Sequence, residues 1–512
     1  MEISLDRESE TPLYQQIQDY LTRLILDGTL AANTRLPATR QLATDLGVNR
    51  ITVSNAYDEL EAAGLVYVQS GRGTYVSSLN PQEHPAEKTG LKNGKTEPGP
   101  RVLWQDALAA RIHPGADTQW SELLKLAHEP GVISFAGGVP DVETFPVDDF
   151  RSAMQTVFKR DGQAAMTYGA AQGYAPLRNA IAVFLREQGI AAEADQILIT
   201  SGSQQALSLV AMALLQAGDT VIVESPTYAN AIQLFQWLRV KVLGVPIDEE
   251  GIRVDLLEHL LKNQTAQLIY TIPTFHNPSG TTMSGRRRRA LLALAGRYSL
   301  PIAEDDYIGG LQYEGPHEPS LKAMDPGGNV IHISTYSKML MPGPRIGFVL
   351  TENPLLERLI DLKHQIDIGA SDLIQRTLEA YIGDGRWRAH TRRVSRIYHQ
   401  RRDAMVAALK EYFPPQAQWG VPKGGFFLWV RLPESISIRD VYQAAIENGV
   451  AFAPGPMFFP GEPAYPAFRL SFSQRTEEQI REGIRRLGKV LYEALGREKA
   501  VPSGNAQRIE VG

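Results

Sequence analysis

The run NVIHISTYSKMLMPGPRIG (329–347) begins as a β-branched apolar strand, reaches a lysine at Lys338 and places Arg345 seven residues beyond it. A lysine at a strand end can be buried enough to lower its pKa, and its free amine then condenses with an aldehyde. Arg345 carries a planar fork of donors suited to a phosphate on the same ligand. A lone lysine after a strand is ordinarily a surface lysine, so the weight falls on its surroundings. Upstream, LPIAEDDY (300–307) ends a second apolar run with Asp305 and Tyr307. A carboxylate held against a pyridine nitrogen keeps that nitrogen protonated, so the ring works as an electron sink, and a phenol can hydrogen-bond a ring oxygen. Asn277, in HNPSG (276–280), offers that oxygen a second donor. Gly202, Ser203 and Gln204 follow ILIT and open the helical segment QALSLVAMALL. A glycine turn at a helix start presents unpaired backbone N–H groups to a phosphate. Tyr228, in ESPTYAN, follows the next strand, where its ring can stack on a planar ligand.

These runs belong to a longer alternation. QILIT (196–200), TVIVES (220–225), AQLIYTIP (266–273) and NVIHIST (329–335) alternate with segments of helical period. The pattern predicts an α/β fold with a mainly parallel central sheet. After Pro354 long helices take over, followed by GGFFLWVRL and AFRLSFS, which predicts a smaller C-terminal α/β lobe. The chain has 512 residues, 43% of them hydrophobic, which is enough for two or three packed domains. It has no cysteine, excluding disulfides, thiolate metal sites and a cysteine nucleophile. No metal site is expected. The first thirty residues have no signal-peptide pattern and no run approaches a membrane span, so a cytoplasmic protein is expected.

Residues 1–77 read as a separate unit, and 78–100, with several Pro and Gly and almost no large apolar residue, as a flexible linker. Residues 101–497 form the large unit and 498–512 a tail. In the first unit a helix is expected from Pro12 to Asp27, stopped by Gly28, with Leu13, Ile17, Leu21, Leu24 and Ile25 on one face. Thr39–Leu46 and Asn49–Ala63, with Gly47 between them and Gly64 as the final cap, give a helix-turn-helix layout. LVYVQSGRGTYV then supplies two short strands around Gly71, Arg72 and Gly73, a wing. This unit holds six arginines, no lysine and ten acids, so any DNA contact must be local. Arg35, Arg40, Arg50 and Arg72 cluster toward one end, while Asp58, Glu59 and Glu61 stand at the far end of the third helix. The basic runs Arg286–Arg289 and Arg386–Arg402 are expected to be solvated helix faces.

The motifs PLYQQIQDYL, RLPATRQLATDLGVNRITVSNAYDELEAAGLV and GRGTYV resemble the GntR family of winged-helix regulators. The resemblance implies that Arg35, Arg40, Arg50, Thr52, Arg72 and Gly73 touch double-stranded operator DNA, with Arg50 and its helix neighbours reading bases. FAGGVPD, YGAAQGYAPLR, TSGSQQAL, SPTYAN, HNPSG, EDDY, STYSK, PGPRIG and FRLSFS resemble, in order, the fold-type-I aminotransferases. That likeness implies pyridoxal 5'-phosphate as cofactor, with Lys338 as its Schiff-base lysine, Asp305 at the pyridine nitrogen, and Tyr307 and Asn277 at the ring oxygen. Gly202, Ser203, Gln204, Thr335, Ser337 and Arg345 would hold the phosphate, and Tyr228 would stack. Tyr168 would reach in from a second subunit, and Arg469 and Gly138 would bind a substrate or effector. One departure stands out: many of these enzymes have D-x-x-Y, whereas Asp305 and Tyr307 are separated by one residue, which makes Asp306 a competitor. Strand alternation favours Asp305. The fusion of the two parts is similar to the MocR branch of GntR regulators. It implies a homodimer that senses an amino acid, an amine or pyridoxal phosphate itself. The alternative is a working aminotransferase, of aminoadipate or aromatic type, with an accessory DNA-binding domain.

Overall fold

The computed structural model describes residues 5–7, 9, 11–63, 65–69, 73–77, 125, 129 and 131–498. They belong to two compact units, Met1–Ala107 and Leu108–Gly512. The expected linker 78–100, the tail beyond Glu498, the cap Gly64 and the wing-tip residues Gly71 and Arg72 lie outside the described residues.

Among the described residues the first unit has three helices, α1 (Leu13–Leu26), α2 (Thr39–Leu46) and α3 (Arg50–Ala62), followed by the antiparallel pair β1 (Val66–Gln69) and β2 (Gly73–Val76). Ile17, Leu21 and Ile25 recur every fourth residue on α1 and meet Leu42, Val53, Ala56 and Leu60 in one core. Gly47 closes α2 at φ +62°, a left-handed conformation that costs a glycine nothing. Asn49 is not the first residue of α3 but its cap. Its side-chain oxygen accepts from the Ile51 N–H at 2.9 Å, so the helix proper starts at Arg50.

In the second unit the strands in chain order are β3 (Ile133–Ser134), β4 (Ile197–Thr200), β5 (Thr220–Ser225), β6 (Lys241–Asp248), β7 (Gly251–Ile252), β8 (Leu268–Thr271), β9 (Ile302–Asp306), β10 (Val330–Thr335), β11 (Gly347–Leu350), β12 (Gln418–Trp419), β13 (Phe427–Arg431), β14 (Val450–Ala451), β15 (Ala453–Pro454) and β16 (Ala467–Ser471). The large sheet has the order β4-β11-β10-β9-β8-β5-β6-β7. Its centre is parallel; β11 runs antiparallel to β10 and β4, and β7 antiparallel to β6. Strands such as Ile197–Thr200 and Leu268–Thr271 are buried at every residue, which is why they read as continuous apolar runs. The smaller antiparallel sheet has the order β12-β13-β16-β15, and the parallel pair β3 and β14 ties residues 133–134 to the C-terminal part of the unit.

The two arginine runs are mostly exposed, as expected, but each has a buried member. Arg288 is fully buried and donates to the carbonyls of Met283, Pro273 and Pro319 and to the Thr274 hydroxyl. Arg402 is buried against the Pro422 carbonyl and Glu314. A guanidinium has five donors in one plane, so it can tie several loop carbonyls at once, and helix period alone does not show this.

Candidate cofactor site and DNA-facing helix

A cavity of about 190 Å³ opens at the C-terminal ends of the parallel strands, lined among others by Gly138, Ser203, Tyr228, Asn277, Asp305, Tyr307, Lys338 and Arg469. Strand ends at a change of direction in the sheet are where open α/β folds leave a crevice. Residues from distant parts of the sequence therefore meet here.

Lys338 follows β10, and its ammonium donates to the Gly138 carbonyl at 2.8 Å. Burial, and the positive charges of Arg469 and Arg345, bring its pKa down to about 8, with Asp305 acting in the opposite direction. Asp305 lies at the end of β9. Burial raises its pKa to about 6 against the hydrogen bond it accepts from Tyr270 at 2.7 Å, and its other oxygen is buried with no partner. Tyr307 donates to the Phe275 carbonyl at 2.8 Å. Asp306 turns away, accepting from the Gly309 N–H and lying 3.9 Å from the His332 Nε2 on the other side of the strand. Alternation along β9 thus brings Asp305, and not its neighbour, into the cavity with Tyr307.

Arg469, on β16, is buried and donates to the Asn277 side-chain oxygen and the Ala136 carbonyl, both at 2.7 Å. Its guanidinium lies 4.0 Å from the Phe427 ring centroid, and its Nε has no partner. Burial lowers its pKa to about 10, opposed by the nearby Tyr307 and Tyr228. Gly138 must be a glycine: a Cβ there would stand 2.7 Å from the Phe427 ring.

Gly202, at φ +100°, precedes the helix Ser203–Leu214, and a Cβ on it would come within 2.9 Å of the Arg345 guanidinium. Arg345 donates to the Ser201 carbonyl at 2.9 Å. Gln204 Oε1 is buried without a partner. The Thr335 hydroxyl donates to the Ile346 carbonyl at 3.0 Å and is also bonded to Ser337, so it braces the turn; of the residues expected at the phosphate, Ser203 lines the cavity, whereas Gly202, Gln204, Thr335, Ser337 and Arg345 do not. Tyr168 is 88% exposed and does not reach the cavity of its own chain.

Sequence reasoning missed Tyr270, Phe427 and the buried pair Glu224 and His276, 3.2 Å apart, next to Asn277. Glu224 carried a signal, an acid directly after the apolar run Val221–Val223 of a buried strand. Tyr270 and Phe427 carried none, since an aromatic residue in a buried strand reads as core.

In the first unit Arg35, Arg40, Arg50 and Ile51 are exposed and Thr52 is partly so. Among the described residues none of these three arginines has a carboxylate partner, whereas arginines in the second unit are widely paired. Arg35 also lies across the wing base, where a Cβ on Gly73 would meet its guanidinium at 2.9 Å.

Residues 13–76 match the family described as bacterial regulatory proteins of the gntR family, and residues 130–487 match aminotransferase class I and II. An HTH-type transcriptional regulator of Bacillus subtilis, YisV, is 33% identical over 94% of this chain and 96% of its own length, spanning both parts. The chain belongs to the MocR branch of GntR-type regulators. The aminotransferase family match of the MocR-type chain falls within its second unit. Aromatic-amino-acid aminotransferase 1 of Thermococcus litoralis is 39% identical over 73% of this chain and 91% of its own. The crystal structure of a multiple substrate aminotransferase from Thermococcus profundus superposes with a TM-score of 0.74 at 37% identity, covering 77% of this chain and all of that one.

The cofactor of this class is pyridoxal 5'-phosphate, and the residues of this MocR-type chain fit it. A lysine with a depressed pKa, an acid with an unpaired oxygen and a glycine cradle beside an arginine match an aldehyde, a ring nitrogen and a phosphate. No helix among the described residues is long and apolar enough to cross a membrane.

Proposed function

We propose that the chain is a cytoplasmic, homodimeric transcription regulator that binds operator DNA through its first unit and senses an amino acid, an amine or pyridoxal phosphate itself through its second. The observation that carries the sensing part is the pairing of Lys338 with Arg469 in one cavity. One group engages an aldehyde and the other a carboxylate, which are the two handles an amino acid needs at a pyridoxal phosphate site.

Ser203, Gln204, Ser337 and Arg345 hold the phosphate, Thr335 fixes Ser337, and Tyr228 stacks on the ring. Asp305 keeps the ring nitrogen protonated, and Tyr307 and Asn277 bind its oxygen. When bound, the cofactor supplies an aldehyde that exchanges reversibly between amines. Lys338 would hold that aldehyde and, when not bonded to it, would be placed to accept or return a proton, and Arg469 would grip the carboxylate of an incoming amino acid. Arg469 already holds Asn277, from the loop after β8, and the Ala136 carbonyl, so its regrouping moves both contacts together. A ligand that favours one arrangement shifts the dimer between DNA-binding states. On the DNA side, Arg50, Thr52 and the start of α3 read bases, while Arg35, Arg40 and Gly73, with Arg72 at the wing tip, position the backbone.

A panel of amino acids and amines titrated into holoprotein, followed by visible absorbance and by operator binding, tests this. Effector-dependent DNA affinity with turnover orders of magnitude below roughly 1 per second supports the regulator. A second reading, a working aminotransferase, is favoured by the full set of catalytic groups in the cavity; steady transamination with unchanged DNA binding would establish it instead.

A further inference from the structure

A second cavity, of about 240 Å³, lies in the crevice between the edge of the large sheet and the small sheet. Trp419, Trp429 and Tyr465 give it aromatic walls, Ser279 comes from the HNPSG loop, and the charged lining residues are Arg431, Glu249 and Asp248, the last already paired with Arg287 at 3.0 Å. Arg431, at the end of β13, stacks 3.8 Å from the Tyr465 ring centroid. Neither Arg431 nor Glu249 has an ion-pair partner among the described residues. The indole N–H of Trp429 is buried without an acceptor. Aromatic walls, one free cation and one free anion match a ring that carries both a carboxylate and an ammonium. A simple anion or cation would leave one wall charge unmatched.

Two physical routes connect this crevice to Arg469. On one side Ser279 bonds His276 at 2.8 Å, and the adjoining Asn277 accepts from Arg469 at 2.7 Å. On the other, rings form a ladder: Tyr465 to Phe459 at 5.5 Å, Phe459 to Trp429 at 6.3 Å, Trp429 to Phe458 at 5.7 Å, and Phe458 to the Arg469 guanidinium at 4.9 Å. Both end on the group assigned to the effector carboxylate.

We propose that this crevice is a second ligand site for a small aromatic zwitterion, and that its occupancy alters the affinity of the cofactor cavity by shifting Arg469. The binding site stands on its own geometry; only the coupling rests on the role proposed for Arg469.

The test uses holoprotein and phenylalanine betaine, whose quaternary ammonium cannot condense with an aldehyde, so calorimetry reads the crevice apart from cofactor chemistry. One betaine per chain is expected to bind. Arg431→Ala and Glu249→Gln, both exposed positions, each weaken it at least tenfold, and Lys338→Ala leaves it unchanged. 3-Phenylpropionate and benzyltrimethylammonium bind at least tenfold more weakly than the betaine. Saturating betaine shifts the amino-acid midpoint, read by visible absorbance, several-fold, and the amino acid shifts the betaine midpoint by the same factor. No binding at millimolar betaine, binding that survives both crevice variants, or binding lost in Lys338→Ala overturns the site. Betaine binding with an unmoved amino-acid midpoint overturns the coupling. Betaine binding while amino acids leave the absorbance unchanged retains the site, and the failure then belongs to the effector reading of the cofactor cavity.

Discussion

Lys338 is poised by its neighbours. Burial and the charges of Arg469 and Arg345 hold its pKa near 8, below the ordinary 10.5. Only the free amine attacks a carbonyl, so cofactor capture by the apoprotein should rise with pH through about 8 and level off above it. Absorbance-monitored uptake of pyridoxal phosphate between pH 6.5 and 10 checks this, and a midpoint near 10 would place the lysine in open water. Lys338→Ala should show no covalent cofactor band at any pH. Tyr270 acts on the same site from behind. Its hydroxyl is the donor that holds down the Asp305 carboxyl, whose other oxygen has none. Tyr270→Phe should therefore push Asp305 further up, toward its neutral form at pH 7, which cannot pair with a protonated ring nitrogen. Losing that bond is worth about 1–2 kcal/mol, so cofactor release should quicken roughly tenfold while the thermal midpoint of the apoprotein changes little. Equal retention by wild type and variant would remove Tyr270 from this role.

At the scale of elements, the same sequence cues that located the strands failed on the arginines. The long β-branched runs, the Gly47 turn and the wing strands follow from local pattern, because each residue's preference agrees with its place in the fold. That Asp305 and not Asp306 lines the cavity was also legible, since period two along β9 decides it. Arg288 was not: its partners lie five to thirty-one residues away in loops, and nothing in RRRR distinguishes the buried member. Arg288→Leu leaves three carbonyls without their donor and should cost on the order of 3 kcal/mol, seen as a lower thermal midpoint of the second unit. Arg286→Ala, at an exposed ion pair, should cost about 0.5 kcal/mol or less. An equal effect at both positions would contradict the burial of Arg288. On α3, Arg50→Ala should weaken binding to the preferred operator by about 1–3 kcal/mol and relax its sequence preference. Gel-shift titration against specific and scrambled duplexes reads both effects, and the cofactor band serves as the control for the second unit. Unchanged discrimination would take Arg50 out of base reading.

For the whole molecule, the decisive residue is one that stays outside the cofactor cavity of its own chain. Tyr168 is an aromatic side chain 88% exposed that does not line the cavity of its own chain, although the segment that carries it, YGAAQGYAPLR, marks the aminotransferase resemblance. A residue that would complete a neighbour's site shows nothing of it in one copy, so the role expected of Tyr168 rests on the resemblance and not on packing. If the partner's Tyr168 completes each site, two defects on different chains should complement. A dimer formed from one Lys338→Ala chain and one Tyr168→Ala chain contains one site missing both groups. Its other site has Lys338 from the Tyr168→Ala chain and an intact tyrosine from the Lys338→Ala chain. Differently tagged chains, co-expressed and purified as the mixed dimer, should therefore retain cofactor with wild-type tightness in half of the sites. The Lys338→Ala homodimer should form no covalent band, and the Tyr168→Ala homodimer should release cofactor faster at every site. If Tyr168 acted within its own chain, the mixed dimer would match the Tyr168→Ala homodimer in release rate, with half its occupancy. A mixed dimer that recovers slow release would place Tyr168 in the partner's cofactor site, so that retention of the cofactor depends on both chains.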